Sequence, residues 1–462
     1  MTLITSISGI RGTIGGLPEK NLTPLDAVRF AAAFGSWLRE KFADQPIQVV
    51  IGRDARLSGA MLQHLVQNTL IGLGIDVIDL GLSTTPTVEM SVVFEKAQGG
   101  IILTASHNPK EWNALKLLNE KGELINASEG ERLLKMVSEN DFTFVPVTEL
   151  GKYFQRTDAI AQHISAVLDL PLVNVPEIRN AGLTVVVDAV NSTGGIALPP
   201  LLEQLGVKVI PIYCDPTGHF PHNPEPLKEH LTDLCREVVA QDADLGIVVD
   251  PDVDRLAFVD ETGEMFGEEY TLVACADYVL SKTPGDTVSN MSSTRALRSI
   301  TEKYGKLYHA SAVGEVNVVE KMKEVSAVIG GEGNGGIIYP ALHYGRDALV
   351  GIGLFLSLLA EKKQSVSSLK ASYPLFFMSK KKINLQPKLD VDAVLNTVAQ
   401  QHSGEDISTI DGVKIDFKDR WVHLRKSNTE PIIRIYTEAP SQHTADALAD
   451  DFIALIKNIS EK

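Results

Sequence analysis

The apolar run GGIILTAS (99–106) ends at His-Asn-Pro, so Ser106 and His107 stand side by side at the mouth of what reads as a buried strand. A serine hydroxyl becomes a nucleophile when a base or a positive charge assists it. His107 adjoins Ser106, and Lys116 lies ten residues on, in a segment that could fold back. A polar turn that closes a strand fits the same residues, so the pair alone does not decide. The segment DPDVDRLAFVD (250–260) is more telling, with Asp250, Asp252 and Asp254 at alternate positions beside Arg255. In extended chain a period of two puts three carboxylates on one side, where they repel unless a cation sits between them. Hard oxygen donors favour Mg²⁺, with Ca²⁺ or Mn²⁺ behind it. An EF-hand is excluded although Glu261 falls at its twelfth position, because the sixth is Arg255 rather than glycine and strands flank the loop. A solvated acidic turn is the plain alternative, against which stand Pro251 and the preceding apolar run LGIVV.

Three further segments carry binding chemistry. GGEGNGG (330–336) lacks the Lys-Ser/Thr of a Walker loop and the GxGxxG register. Its Glu332 and Asn334 could instead grip hydroxyls, the carboxylate accepting and the amide doing both. A loose turn between strands reads equally well. RKSNTEPIIR (425–434) gathers Arg425, Ser427, Asn428, Thr429 and Arg434 about one tight turn. Two guanidinium groups with small neutral donors suit a phosphate dianion better than they suit an incidental hydrophilic hairpin. GIRGTIGG (9–16) sets Arg11 between glycines, which alone is a flexible basic turn.

These residues need a scaffold, and the chain repeats one. Residues 47–52, 75–82 and 99–106 read as strands separated by the helical stretches 57–74 and 85–97. The rhythm restarts at 183–190, 191–206 and 207–213, and again across 271–339. Short β-branched runs alternating with helical spacing predict βαβ units and mostly parallel sheets. The tail differs: helix at 391–401, paired strands at 412–427 and 431–439, and an amphipathic helix at 443–460 predict a small α+β unit. The fold class is therefore α/β, with three related mixed α/β domains in series and a C-terminal α+β domain. The expected boundaries give 1–145, 146–258, 259–372 and 373–462.

Composition narrows the partners. The chain of 462 residues is 44% hydrophobic and 22% charged, and 59 acidic against 43 basic residues leave a formal charge of -16. That field repels nucleic acid, and a small anion would need local positive groups to hold it. Cys214, Cys235 and Cys275 are scattered, which excludes a disulfide framework and a zinc site. No signal-like start and no membrane-length apolar run is present, so a cytoplasmic protein is expected.

Taken together, GIRG, TASHNP, DPDVDR, the GE-containing loop and RKSNTEP resemble, in order and spacing, the α-D-phosphohexomutase superfamily over nearly the whole chain. That superfamily includes phosphoglucomutase, phosphomannomutase and phosphoglucosamine mutase, and its architecture is four-domain and heart-shaped. The resemblance implies that Ser106 carries a phosphoryl group and that Mg²⁺ is held by Asp250, Asp252, Asp254 and an oxygen on Ser106. It implies that Arg11, His107 and Lys116 line the transfer site, Lys116 as general base, with Arg255 beside the metal loop. Glu332 and Asn334 would bind sugar hydroxyls, and Arg425, Ser427, Asn428 and Thr429 the non-reacting phosphate, with Arg434 added by the residue reading above. A hexose 1,6-bisphosphate is the implied intermediate and activator, a hexose phosphate the partner, and the molecule a monomer or homodimer.

Two departures bear on the substrate. The common sugar loop GE-x-S-G-H has Asn334 here for the serine and Gly336 for the histidine, and SISGIRG lacks an acidic residue before GIRG. The GEGNGG form resembles the archaeal-type phosphoglucosamine mutase branch, which points to glucosamine phosphate. Glucose or mannose phosphate is the alternative within the family. A phosphatase would result if water reached a phosphorylated Ser106, and a sugar-phosphate-binding protein without catalysis is the alternative of another class.

Overall fold

The computed structural model describes residues 2–6, 9–43, 45–384, 390–426 and 432–460. Its first three sheets share one plan. In the first, Gln48–Arg53 lies between Asp76–Leu82 and Gly99–Leu103, all parallel, and Trp112–Leu118 runs back antiparallel beside the last. In the second, Thr184–Asp188 lies between Lys208–Ile212 and Leu245–Val249, with Leu256–Asp260 returning antiparallel. In the third, Thr287–Asn290 lies between Tyr308–Ser311 and Ile329–Glu332, and Gly336–Ile338 returns. Each repeat thus ends in a hairpin at the carboxyl end of its third strand. The three hairpins hold TASHNP, DPDVDR and GEGNGG.

The run patterns explain the strands. GGIIL and LGIVV are buried at all five positions, as parallel strands covered on both faces must be. Helices fill both faces: Thr84 caps Thr85–Phe94 by accepting from the Thr87 amide, and Asp347 caps Ala348–Lys362 by accepting from the Leu349 and Val350 amides. The second and third sheets share one apolar core, in which Phe258 stacks on Phe355 at 3.8 Å between ring centroids.

The first sheet extends at both edges, by Ile4–Ser6 and Gly9–Thr13 on one side and Tyr153–Gln155 on the other. Its hydrogen bonding therefore passes residue 145, and Leu256–Asp260 crosses the expected boundary at 258. The fourth sheet is wholly antiparallel in the order Phe377–Asn384, Ile432–Ala439, Trp421–Lys426, Val413–Asp416, Asp406–Ser408. Helices Val391–Gln401 and Gln442–Ser460 cover one of its faces through a separate core. Among the described residues no helix is long and apolar enough to cross a membrane.

Candidate active site

The strand Gly99–Leu103 leads into a turn in which Ser106 adopts φ 49°, a left-handed conformation uncommon for a residue with a side chain. Arg56 holds that turn. Its guanidinium donates to the carbonyls of Ser106 (2.5 Å), Asn108 (2.7 Å), Pro109 (2.7 Å) and Trp112 (2.9 Å), and to Asp54 Oδ2 at 2.9 Å. Thr104 donates to the same Asp54 oxygen and accepts from the Ser106 amide. Ser106 is thereby fixed with Oγ donating to Asp250 Oδ2 at 2.7 Å, across from the first repeat to the second. His107 Nδ1 lies 3.3 Å from Ser106 Oγ, and its Nε2 lies 3.5 Å from Arg255. Burial, then Arg255 and Arg11, holds the His107 imidazole well below its ordinary range, so the ring is neutral.

The metal loop is not the extended segment its spacing predicts. Val253 takes φ 65° and its amide donates to the Asp250 carbonyl, while Asp250 Oδ1 accepts from the amides of Asp254 and Arg255. The turn still converges the carboxylates. One oxygen from each of Asp250, Asp252 and Asp254 falls within 4.8 Å of the others, and all three residues are fully buried. Lys116 Nζ reaches Asp252 Oδ2 at 2.7 Å and Asp254 Oδ2 at 3.0 Å. Burial pulls Lys116 towards neutrality, but the two aspartates outweigh it and hold the ammonium above the ordinary lysine range. Burial likewise pushes Asp254 up, and Arg346 with Lys116 overcomes it, so that carboxyl lies below its usual range. Asp250 goes the other way, raised by burial and by its two acidic neighbours.

Asp252 Oδ1 and Asp254 Oδ1 are buried and accept no hydrogen bond among the described residues. Two orphaned carboxylate oxygens in a three-carboxylate cluster fit a divalent cation, since an unmet buried acceptor is costly otherwise.

Arg11 sits in Gly9–Thr13 opposite Ala114 and donates to Asn108 Oδ1 at 3.0 Å, which brings it to the serine turn. Arg255 pairs with Glu225 at 3.1 Å beside His107. The sugar loop packs on the metal hairpin: Gly335, at φ 88°, accepts from the Leu256 amide, and a Cβ there would lie 2.2 Å from the Leu256 carbonyl oxygen. Glu332 accepts from Asn290 (2.9 Å) and the Gly314 amide (3.2 Å), and Asn334 lies half-buried beside it, 3.4 Å away. Arg425 pairs with Asp411 at 2.7 Å, and Arg434 is exposed directly across the sheet from it. Among the described residues neither arginine bonds to the serine or metal loop. Ser427, Asn428 and Thr429 lie outside the described residues.

Models of the phosphoglucomutase/phosphomannomutase family match in order along the chain. Alpha/beta/alpha domain I matches residues 3–144, domain II 161–263, domain III 267–376, and the C-terminal domain 379–455. A phosphoglucomutase/phosphomannomutase of Thermococcus kodakarensis is 35% identical over 440 residues, 94% of this chain and 95% of that protein. The chain belongs to the phosphohexomutase family. A probable phosphoglucosamine mutase of Methanopyrus kandleri is 33% identical over 98% of both chains. The crystal structure of a phosphoglucomutase/phosphomannomutase family protein from Burkholderia thailandensis superposes with a TM-score of 0.84 at 28% identity, covering 98% of both chains.

For a phosphohexomutase site, sequence reasoning missed the side chains that hold it together. Arg56 is one, and only its place in GRDARLSG after a strand hinted at it. Arg346 is the other. Buried, it donates to Asp254 Oδ2 (2.7 Å), Glu332 Oε2 (2.9 Å) and Glu315 Oε2 (3.0 Å), joining metal loop and sugar loop. Gly336, where the common loop has histidine, leaves the room Arg346 fills: a Cβ at 336 would lie 2.4 Å from Arg346 Cδ.

Proposed function

We propose that the protein interconverts hexose 6-phosphate and hexose 1-phosphate through a phosphoryl group carried on Ser106. The observation that carries this reading is Ser106 Oγ at 2.7 Å from Asp250, beside two carboxylate oxygens that nothing among the described residues satisfies. In each half-reaction the P–O bond to one oxygen breaks as the bond to the other forms, serine and sugar hydroxyl exchanging the roles of leaving group and nucleophile. A bound divalent cation, Mg²⁺ by the hardness of its donors, offsets charge on the transferring oxygens. Asp250, Asp252 and Asp254 would hold it.

His107, Arg255 and Arg11 then add neutral and cationic donors around the transferring group. Lys116 is assigned the proton of the sugar hydroxyl. Paired with Asp252 and Asp254 it is the proton-donating form, and a cation held by those carboxylates would weaken their hold on its proton. Glu332 and Asn334 would orient sugar hydroxyls, while Arg425, Arg434, Ser427, Asn428 and Thr429 would grip the far phosphate. A grip that suits both orientations of the intermediate 1,6-bisphosphate lets one serine serve both half-reactions.

Glucosamine phosphate is the favoured substrate, supported by the GEGNGG loop and by relatives named probable phosphoglucosamine mutase. The Thermococcus relative favours glucose or mannose phosphate as second reading. Initial rates with Mg²⁺ and the matching bisphosphate on glucosamine, glucose and mannose phosphates decide between them. The amino sugar is expected to turn over fastest, and Ser106→Ala to lower its rate at least ~10³-fold. Comparable rates on all three sugars select the second reading, and no turnover on any of them rejects mutase activity.

A further inference from the structure

Two grips set the metal loop, one on each side. Thr85 takes Asp252, its amide donating to the carbonyl at 2.8 Å and its hydroxyl to Oδ2 at 2.6 Å. Arg346 takes Asp254 Oδ2 at 2.7 Å. Thr85 opens the helix Thr85–Phe94 of the first repeat, and Arg346 directly precedes the helix Ala348–Lys362 of the third. The two grips thus come from different repeats, while Lys116 bridges the two carboxylates they hold.

A fully buried histidine from the second repeat spans them. His163, on helix Ala159–Leu168, has Nδ1 2.9 Å from Thr87 Oγ1, two residues along from Thr85, and Nε2 2.9 Å from Asp347 Oδ2, next to Arg346. His343 Nε2 meets the same Asp347 oxygen at 3.2 Å, and Asp347 Oδ1 accepts the Leu349 amide at 2.8 Å. The carboxylate demands a donor at His163 Nε2, and Nδ1 meets the Thr87 hydroxyl, which also meets Thr84 Oγ1 at 2.7 Å. Contacts therefore close a ring: Asp252, Thr85, Thr87, His163, Asp347, Arg346, Asp254. A surface position would not need such a tie, but from Thr85 to Arg346 the chain is buried and hydrogen-bonded, which makes it rigid.

We propose that His163 is a positioning residue that, through Thr87 and Asp347, fixes the separation of the Thr85 and Arg346 grips and so the aperture between Asp252 and Asp254. The consequence is discrimination by ion size. Mg²⁺ demands short, regular coordination, whereas Ca²⁺ accepts longer and more flexible arrangements, so an aperture that can relax loses its preference for the smaller ion. The proposal rests on the assignment of a divalent cation to the three aspartates, and its test separates the two.

Calorimetric titration of the intact protein with Mg²⁺ and with Ca²⁺, without sugar, gives the affinity ratio directly. His163→Leu keeps the volume and removes both hydrogen bonds; the ratio is expected to shift at least ~5-fold towards Ca²⁺. His163→Gln, whose amide can still donate to Asp347, should return it to within about twofold of wild type. Should the leucine variant not fold, Thr87→Val removes only the hydroxyl at Nδ1 and should move the ratio about twofold in the same direction. A melting temperature that falls while the ratio stays at the wild-type value makes His163 a structural histidine and overturns the proposal. Wild-type protein that binds neither ion overturns it together with the metal assignment.

Discussion

Two parts of the molecule concentrate cationic side chains, the cleft around Asp252 and the C-terminal sheet, and they differ in what surrounds the charge. In the cleft Lys116, Arg56, Arg255 and Arg346 are largely buried and each meets a carboxylate within 3.1 Å. On the C-terminal sheet Lys382, Arg434 and Arg425 fall in register across three neighbouring strands, so three cations stand in one row. Like charges directly opposite each other are destabilising. Only Arg425 has a carboxylate partner there, Asp411, and among the described residues nothing pairs with Arg434 or Lys382. The contrast follows from burial. A buried ion must be paired or the fold fails, so the cleft holds its geometry before any substrate arrives. An exposed row can wait for its anion, and under the proposed function it gains one only when sugar phosphate binds.

The comparison predicts different consequences of losing a charge in each place. Arg56→Met should have the largest effect, because it strands the buried Asp54 carboxylate and frees the left-handed turn at Ser106. Unfolding in denaturant should show a loss of about 3–5 kcal/mol, and kcat should fall roughly 10²-fold through misplacement of the nucleophile. Wild-type stability in this variant would mean that the serine turn is not prebuilt. Arg434→Gln should do the reverse: KM for hexose phosphate rises roughly 5–10-fold, while stability changes by less than about 0.5 kcal/mol. A stability loss like that of the Arg56 variant would dissolve the distinction.

What the sequence allowed one to read divides along the same line. The strands were legible from runs such as LGIVV, and the chemistry-bearing turns from residues grouped within a few positions. Ser106 and the three aspartates were found because each motif is local. The repeat of one hairpin plan in three sheets was only half visible: the alternation showed, but the antiparallel return strands did not announce their pairing. The shape of the metal loop was misread because period two presumes extended chain, and Val253 at φ 65° breaks it. Arg346 and His163 stayed hidden for a different reason. Their partners Asp254 and Asp347 stand 92 and 184 residues away, and no pattern within a window encodes such a meeting.

The joint between the two regions gives the smallest and most pH-specific prediction. His423 lies on the strand that carries Arg425, with Nδ1 2.8 Å from the Ser292 hydroxyl of the third repeat and Nε2 donating to the Asp411 carbonyl at 2.6 Å. Burial pushes its imidazole down to about 4, against the weaker upward pull of that carbonyl. Above about pH 6.5 the ring is neutral in folded and unfolded chain alike, and its contribution to stability is complete. Between 6.5 and 4 the unfolded chain takes a proton that the folded chain refuses, so stability falls with pH by up to about 3 kcal/mol and levels off below 4. His423→Gln should flatten that part of the profile, measured as unfolding free energy against pH beside wild type. Amide exchange would show where the loss is felt. It should quicken in Trp421–Lys426 and Ile432–Ala439 as acid loosens the joint, while Leu245–Val249, whose loop is held by Arg346 and Thr85, keeps its protection. Equal quickening in both places would mean that the exposed row and the buried cleft open as one unit, and the comparison would fail at the joint where it is easiest to test.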